Sequence, residues 1–124
     1  MVPDYDDGIA FYVDRLGFTL SKDIDLGNHK RWVIVTPSGG GTSLLLARAV
    51  NPDQSLAVGN QTGGRVGFFL ETDDFAADHA KMLKAGVTFE EPPRIEPYGT
   101  VAVWKDPFGN RWDLIAFNPV SEPS

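Results

Sequence analysis

The 124-residue chain has no cysteine and only two histidines, His29 and His79. Disulfides, thiolate nucleophiles and zinc–thiolate sites are excluded together. So is any metal centre or catalytic base that needs several histidines. A cysteine-free chain suits a reducing cytoplasm, where we expect this one to reside. Positive charge is also scarce, with 11 Lys+Arg against 17 Asp+Glu and a formal net charge of −6. That balance argues against non-specific nucleic-acid binding, which needs a basic surface to displace counterions. Apolar runs stay well short of the roughly 18–20 residues that span a bilayer. No basic-then-apolar export segment stands at the start, so no membrane role is expected. What the chain does have is 42% hydrophobic and 23% charged residues, the composition of one globular domain with a real core.

Periodicity divides the chain into two similar halves. Asp4 is placed to cap a helix reaching about Leu16, with Ile9, Tyr12, Val13 and Leu16 on one apolar stripe and Gly17 as its stop. Residues 18–26, 30–36 and 42–47 read as strands, separated by Gly27-Asn28 and by Pro37-Ser38-Gly39-Gly40-Gly41. Residues 50–64 show no steady period and read as a connecting loop. The order then recurs. Strand 65–71 leads to a helix capped by Asp73 or Asp74, with Phe75, His79, Met82 and Leu83 on its stripe and Gly86 as its stop. Strand 87–91 is interrupted by Glu91-Pro92-Pro93, strand 100–105 follows, and 111–117 closes the core. The tail, 118–124, is expected to be loose. A shift of 68 residues lays Trp32-Val33-Ile34-Val35 on Thr100-Val101-Ala102-Val103 and Gly41 on Gly109, which indicates one supersecondary unit used twice.

Several short motifs carry a family resemblance. Asp4 to Tyr12 with Leu16-Gly17-Phe18, Leu70 to Phe75, Lys84-Ala85-Gly86-Val87, and Asp106-Pro107-Phe108-Gly109-Asn110 with Trp112-Asp113-Leu114-Ile115 together resemble the vicinal oxygen chelate superfamily of glyoxalases, bleomycin-resistance proteins and extradiol dioxygenases. The resemblance implies an α+β fold of two βαβββ modules whose curved mixed sheets pair into a cleft, usually within a homodimer. Module one covers about 1–49, the linker 50–64, and module two 65–117. Module two places a strand before its capped helix, but module one offers only Met1-Val2-Pro3 there. The first strand of module one is therefore expected to be largely missing, its true start upstream or cut away.

In metal-bearing relatives the cleft holds one divalent ion that acts as a Lewis acid on two adjacent substrate oxygens. Ligands come from the first and last strands of each module. Carried onto this chain, the last-strand positions fall at Leu45 and Asp113, and the first-strand histidine of module two falls at Gly67. That of module one would precede Met1. Leu45 and Gly67 have no donor, so the usual site is not expected and no metal is assigned. Asp113 and Glu71 are the weak metal candidates, two carboxylates suited to Mg²⁺ or Mn²⁺.

A cleft without metal binds through rings and polar groups. Trp32, Phe69, Tyr98, Trp104 and Trp112 are the large rings available. Phe69, Glu71, Tyr98, Asp113 and Arg48 are the expected ligand-binding residues. Asp113 has an alternative as partner of Arg111, and Glu71 as partner of Arg65. His79 is expected to pack on its helix and His29 to be solvated. The polar stretch 59–64 is a candidate cleft loop. The leading expectation is a small-molecule-binding protein, most simply a homodimer, with no cofactor and with catalysis left open. One alternative is a metal-dependent lyase or dioxygenase using a rearranged Asp113–Glu71 site. A structural dimer module is the other.

Overall fold

The structure is a computed structural model and describes residues 1–119; the rest of the tail, 120–124, lies outside the described residues. Asp4 accepts a hydrogen bond from the Asp6 N–H at 2.7 Å and so starts α1 (Tyr5–Ile9). The helix runs directly into a π-wound segment (Ala10–Arg15), where the Leu16 N–H reaches back five residues to the Phe11 carbonyl. A π turn adds a residue and rotates the apolar stripe. Tyr5, Gly8, Phe11 and Tyr12 are therefore the buried positions, while Ile9, Val13 and Leu16 are only half-buried. Gly17, at φ +80°, turns the chain out of the helix into β1 (Thr19–Gly27).

β1 and β2 (Lys30–Thr36) form a hairpin, and β3 (Leu44–Leu46) adds antiparallel to β2. β3 is shorter than the expected 42–47. The expected gap at the first strand of module one holds a single ladder rung. Val2 pairs in parallel with Arg48, donating its N–H to the Ala47 carbonyl at 2.8 Å and accepting from the Ala49 N–H at 2.9 Å.

The linker differs from the expected loop, because α2 (Pro52–Ala57) folds there. Asn51 caps it through the Gln54 N–H at 2.8 Å, and Pro52 takes the first helical position, where its missing N–H costs nothing.

In module two, β4 (Phe68–Glu71) pairs parallel with β8 (Arg111–Phe117), which pairs antiparallel with β7 (Gly99–Lys105). The segment corresponding to β1 is split into β5 (Thr88–Phe89) and β6 (Arg94–Glu96), both antiparallel to β7, because Pro92 and Pro93 cannot donate to the ladder. α3 (Phe75–Lys84) connects β4 to β5 and is capped by Asp74, whose carboxylate accepts from the Ala77 N–H at 3.1 Å. Of its expected stripe Met82 is buried, Phe75 and His79 are partly buried, and Leu83 is exposed.

The two sheets, β1–β2–β3 and β4–β8–β7–β5 with β6, are separate within the chain and sandwich the first helical segment. Gly8 lies so close to β3 that an added Cβ would stand 2.9 Å from the Leu46 side chain. On the opposite side Phe11 meets Trp104 at 6.2 Å between ring centroids and Tyr12 meets Trp112 at 5.9 Å. The inward faces of both sheets, Val33, Val35 and Leu46 on one and Trp104, Trp112 and Leu114 on the other, thus form one core with the helices. Strand alternation turns the opposite faces outward.

Candidate functional site on the outward sheet faces

Each sheet has an outward face, and the side chains there do not match what water favours. On module one, Ile24 pairs with Trp32 across the hairpin and Ile34 with Leu45. Trp32 is 42% exposed and Leu45 48%. On module two, Phe69 is 66% exposed and stands opposite Asp113, two neighbours on adjacent strands. Val101, Val103 and Ile115 continue that face and are buried.

Asp113 is half-buried in this apolar surround, and its carboxyl receives no hydrogen bond among the described residues; Oδ1 is buried without a partner. Burial pushes its pKa above the usual carboxylate value; the Arg94 and Arg111 charges pull it down, and Glu91 pushes it up. The expected pairing of Asp113 with Arg111 does not form. Arg111 instead binds the Glu90 carboxylate at 2.8 Å and the Gly64 carbonyl at 2.8 Å. Arg94 is likewise held elsewhere, by Glu91 at 2.8 Å and Glu96 at 2.7 Å. Such exposed pairs contribute only about 0–1 kcal/mol each, so their consequence is to position the arginines away from Asp113. Glu91 and Arg94 were not legible as face residues because Pro92-Pro93 breaks the alternation that would have placed them.

Glu71 shares the outward face with Phe69, two residues further along β4, and makes no ion pair with Arg65. It lines a cavity of about 760 Å³ with Phe69, Phe18, Lys81 and the 37–42 turn. Tyr98 lies at the far end of the module-two sheet, its ring 6.5 Å from that of Phe117. Phe69, Glu71 and Asp113 are thus brought together, and Tyr98 stands at the margin. Arg48 is not part of this group. It sits on module one beside Tyr5, its guanidinium 5.9 Å from the ring centroid, and donates to the His29 carbonyl at 3.2 Å. Of the other rings, Trp104 and Trp112 stack on each other in the core at 5.0 Å, which leaves Trp32 as an outward-facing indole.

The residues do not fit the divalent ion of metal-bearing relatives. Leu45 and Gly67 lack donors, and the space at Gly67 is filled. A Cβ built on Gly67 would lie 2.6 Å from the Thr62 Cγ2, so a linker side chain occupies the direction a ligand would need. The 59–64 stretch, expected as a cleft loop, lies against Gly67 and Arg111. Among the described residues no three His, Cys, Asp or Glu side chains form a group able to hold a metal. His79 packs between Phe75 and Phe89, at 5.5 and 4.6 Å between centroids, and exposed His29 occupies the β1–β2 turn at φ 63°. No helix among the described residues is long and apolar enough to cross a membrane.

Comparison with known proteins agrees with this architecture. The chain is 51% identical over 120 residues to an uncharacterized protein of Shewanella frigidimarina (strain NCIMB 400), covering 95% of this chain and 89% of that one. Among solved structures it is similar to UcmS2, with a TM-score of 0.78 at 30% identity over 92% of this chain and 90% of that chain. It is also similar to TnmS3, an antibiotic binding protein from Streptomyces sp. CB03234, with a TM-score of 0.74 at 35% identity over 94% and 89% of the two chains. The family described as Glyoxalase/Bleomycin resistance protein/Dioxygenase superfamily matches residues 1–114. With the doubled module, the parallel β4–β8 pair and the 106–110 turn in place, the chain belongs to the glyoxalase/bleomycin resistance protein/dioxygenase superfamily.

Proposed function

We propose that this chain is a metal-independent small-molecule-binding protein of the cytoplasm whose cleft is assembled between two copies. The outward face of module one in one copy covers the outward face of module two in the other. The observation that carries this reading is the exposure of Ile24, Trp32 and Leu45 on one outward sheet face and Phe69 on the other, faces that a lone soluble subunit would keep polar. Helices separate the two faces within one chain, so the chain cannot close its own cleft. Support comes also from TnmS3, described as an antibiotic binding protein.

Sedimentation equilibrium tests the assembly, and thermal melting with a set of planar aromatic compounds tests the binding. A dimer whose melting point rises with at least one compound is expected, because a ligand that binds only the folded state must stabilise it. A chain that stays monomeric up to about 100 µM (an association free energy weaker than about −5.5 kcal/mol), and whose melting point no compound moves, overturns the reading.

A further inference from the structure

We propose that the cleft selects flat aromatic molecules bearing a hydroxyl or amine hydrogen, which they donate to the Asp113 carboxyl while the ring lies on Phe69. This rests on the cleft reading and adds to it the chemical class of the ligand. Three observations meet at one point. Phe69 is the exposed aromatic of β4, with a face that no other ring of the described residues stacks upon. Asp113 is its register partner on β8, one strand spacing away, or about 4.8 Å. The carboxyl receives no donor from the described residues, its Oδ1 being buried without a partner, although two guanidinium groups act on it electrostatically. Both arginines are tied to Glu90, Glu91, Glu96 and the Gly64 carbonyl, so the protein withholds the donors it could have supplied.

A buried acceptor without a donor costs free energy that a ligand N–H or O–H recovers on binding. The surrounding Val101, Val103 and Ile115 are apolar, so a molecule offering no hydrogen at that point leaves the cost in place. Burial also holds the carboxyl above its ordinary pKa, which is the state of a group lacking hydrogen-bond partners. Sites built to hydrogen-bond an O–H or N–H discriminate strongly against analogues that lack it.

The test uses the full-length protein and a matched pair of probes, 2-naphthol and 2-methoxynaphthalene, which share the ring system and differ in the donor hydrogen. Affinities are read by NMR titration. The naphthol is expected to bind wild type about tenfold or more tightly than the ether. Asp113→Leu, which removes the acceptor while keeping the branching at Cγ, is expected to bring that ratio to about one. Asp113→Asn keeps one acceptor oxygen and is expected to fall between the two; it decides the matter if the leucine variant fails to fold. Phe69→Ala is expected to weaken both probes. Equal binding of the two probes to wild type overturns this inference and leaves the cleft reading standing, as does a preference that survives loss of the carboxylate. Failure of both probes to bind wild type removes the cleft reading for aromatic ligands and this inference with it.

Discussion

Asp106 sits where the two modules touch. Its carboxylate accepts from the Phe108 and Asn110 N–H groups and from the Asn110 side chain, which holds the 106–110 turn closed. It also accepts from the Tyr12 hydroxyl at 2.6 Å, which in turn receives the Trp112 indole N–H at 3.2 Å. Burial and the neighbouring Asp106 charge push the Tyr12 pKa up, so the hydroxyl remains a donor. Tyr12→Phe leaves a buried indole N–H and a carboxylate oxygen short of partners, and is expected to lower stability by about 1–3 kcal/mol in urea unfolding. Asp113 has the opposite character. Its folded pKa is raised, so the native state binds the proton more tightly than the unfolded chain. Stability therefore declines as pH rises from the ordinary aspartate value through the raised one. Asp113→Leu is expected to be at least as stable as wild type at pH 7 and to lose that part of the pH dependence, as followed by melting temperature between pH 4 and 8.

The linker is more tightly built than its composition indicates. Gly59, at φ +74°, passes so close to the 106–110 turn that an added Cβ would stand 2.1 Å from the Phe108 carbonyl oxygen. Both the conformation and the contact are with backbone, which cannot yield as a flexible side chain would. Gly59→Ala is expected to cost about 2–4 kcal/mol, read by chemical denaturation. Thr62 seals the Gly67 position, so Gly67→His alone is not expected to create a metal site. Titration of that variant with Ni²⁺ or Zn²⁺ should give no stoichiometric binding, because the new imidazole meets Thr62 in the direction a ligand would need. The helix in the linker had a legible signal, an Asn51 cap followed by Pro52, but six residues are too few to show a periodicity. The π-wound segment had none, since its five-residue hydrogen bonds depend on Phe11 and Tyr12 finding the tryptophans of the other module.

For the proposed dimer, the decisive variants lie on the outward face of module one. Leu45→Glu and Trp32→Lys place a charge at exposed positions, so the fold should be retained by circular dichroism. Buried in an interface, an unpaired charge costs several kcal/mol, and the dimer is expected to weaken by about a hundredfold or more in sedimentation. Ligand binding should be lost with it, because each cleft then has one wall. An interface of about 800 Å² per subunit is ordinary for a stable dimer.

The doubled order of elements, the parity that puts Phe69 and Glu71 on one face of their strand and Asp113 with Arg111 and Ile115 on one face of theirs, and the lack of donors at Leu45 and Gly67 all follow from local chemistry. Period, cap, glycine and proline act over a few residues, and a strand's alternation is a property of its own backbone. Which face meets the helices is a different matter, because it depends on partners distant in the chain. Trp104 and Trp112 became core only because the first helix carries Phe11 and Tyr12 to them. Arg48 left the group expected around Asp113 because Val2 pairs with it and Tyr5 lies beneath it. Arg111 was drawn from Asp113 to Glu90 because β5 ends beside β7. Contacts between residues far apart in sequence are settled by packing the whole core at once, and no window of a dozen residues contains that information.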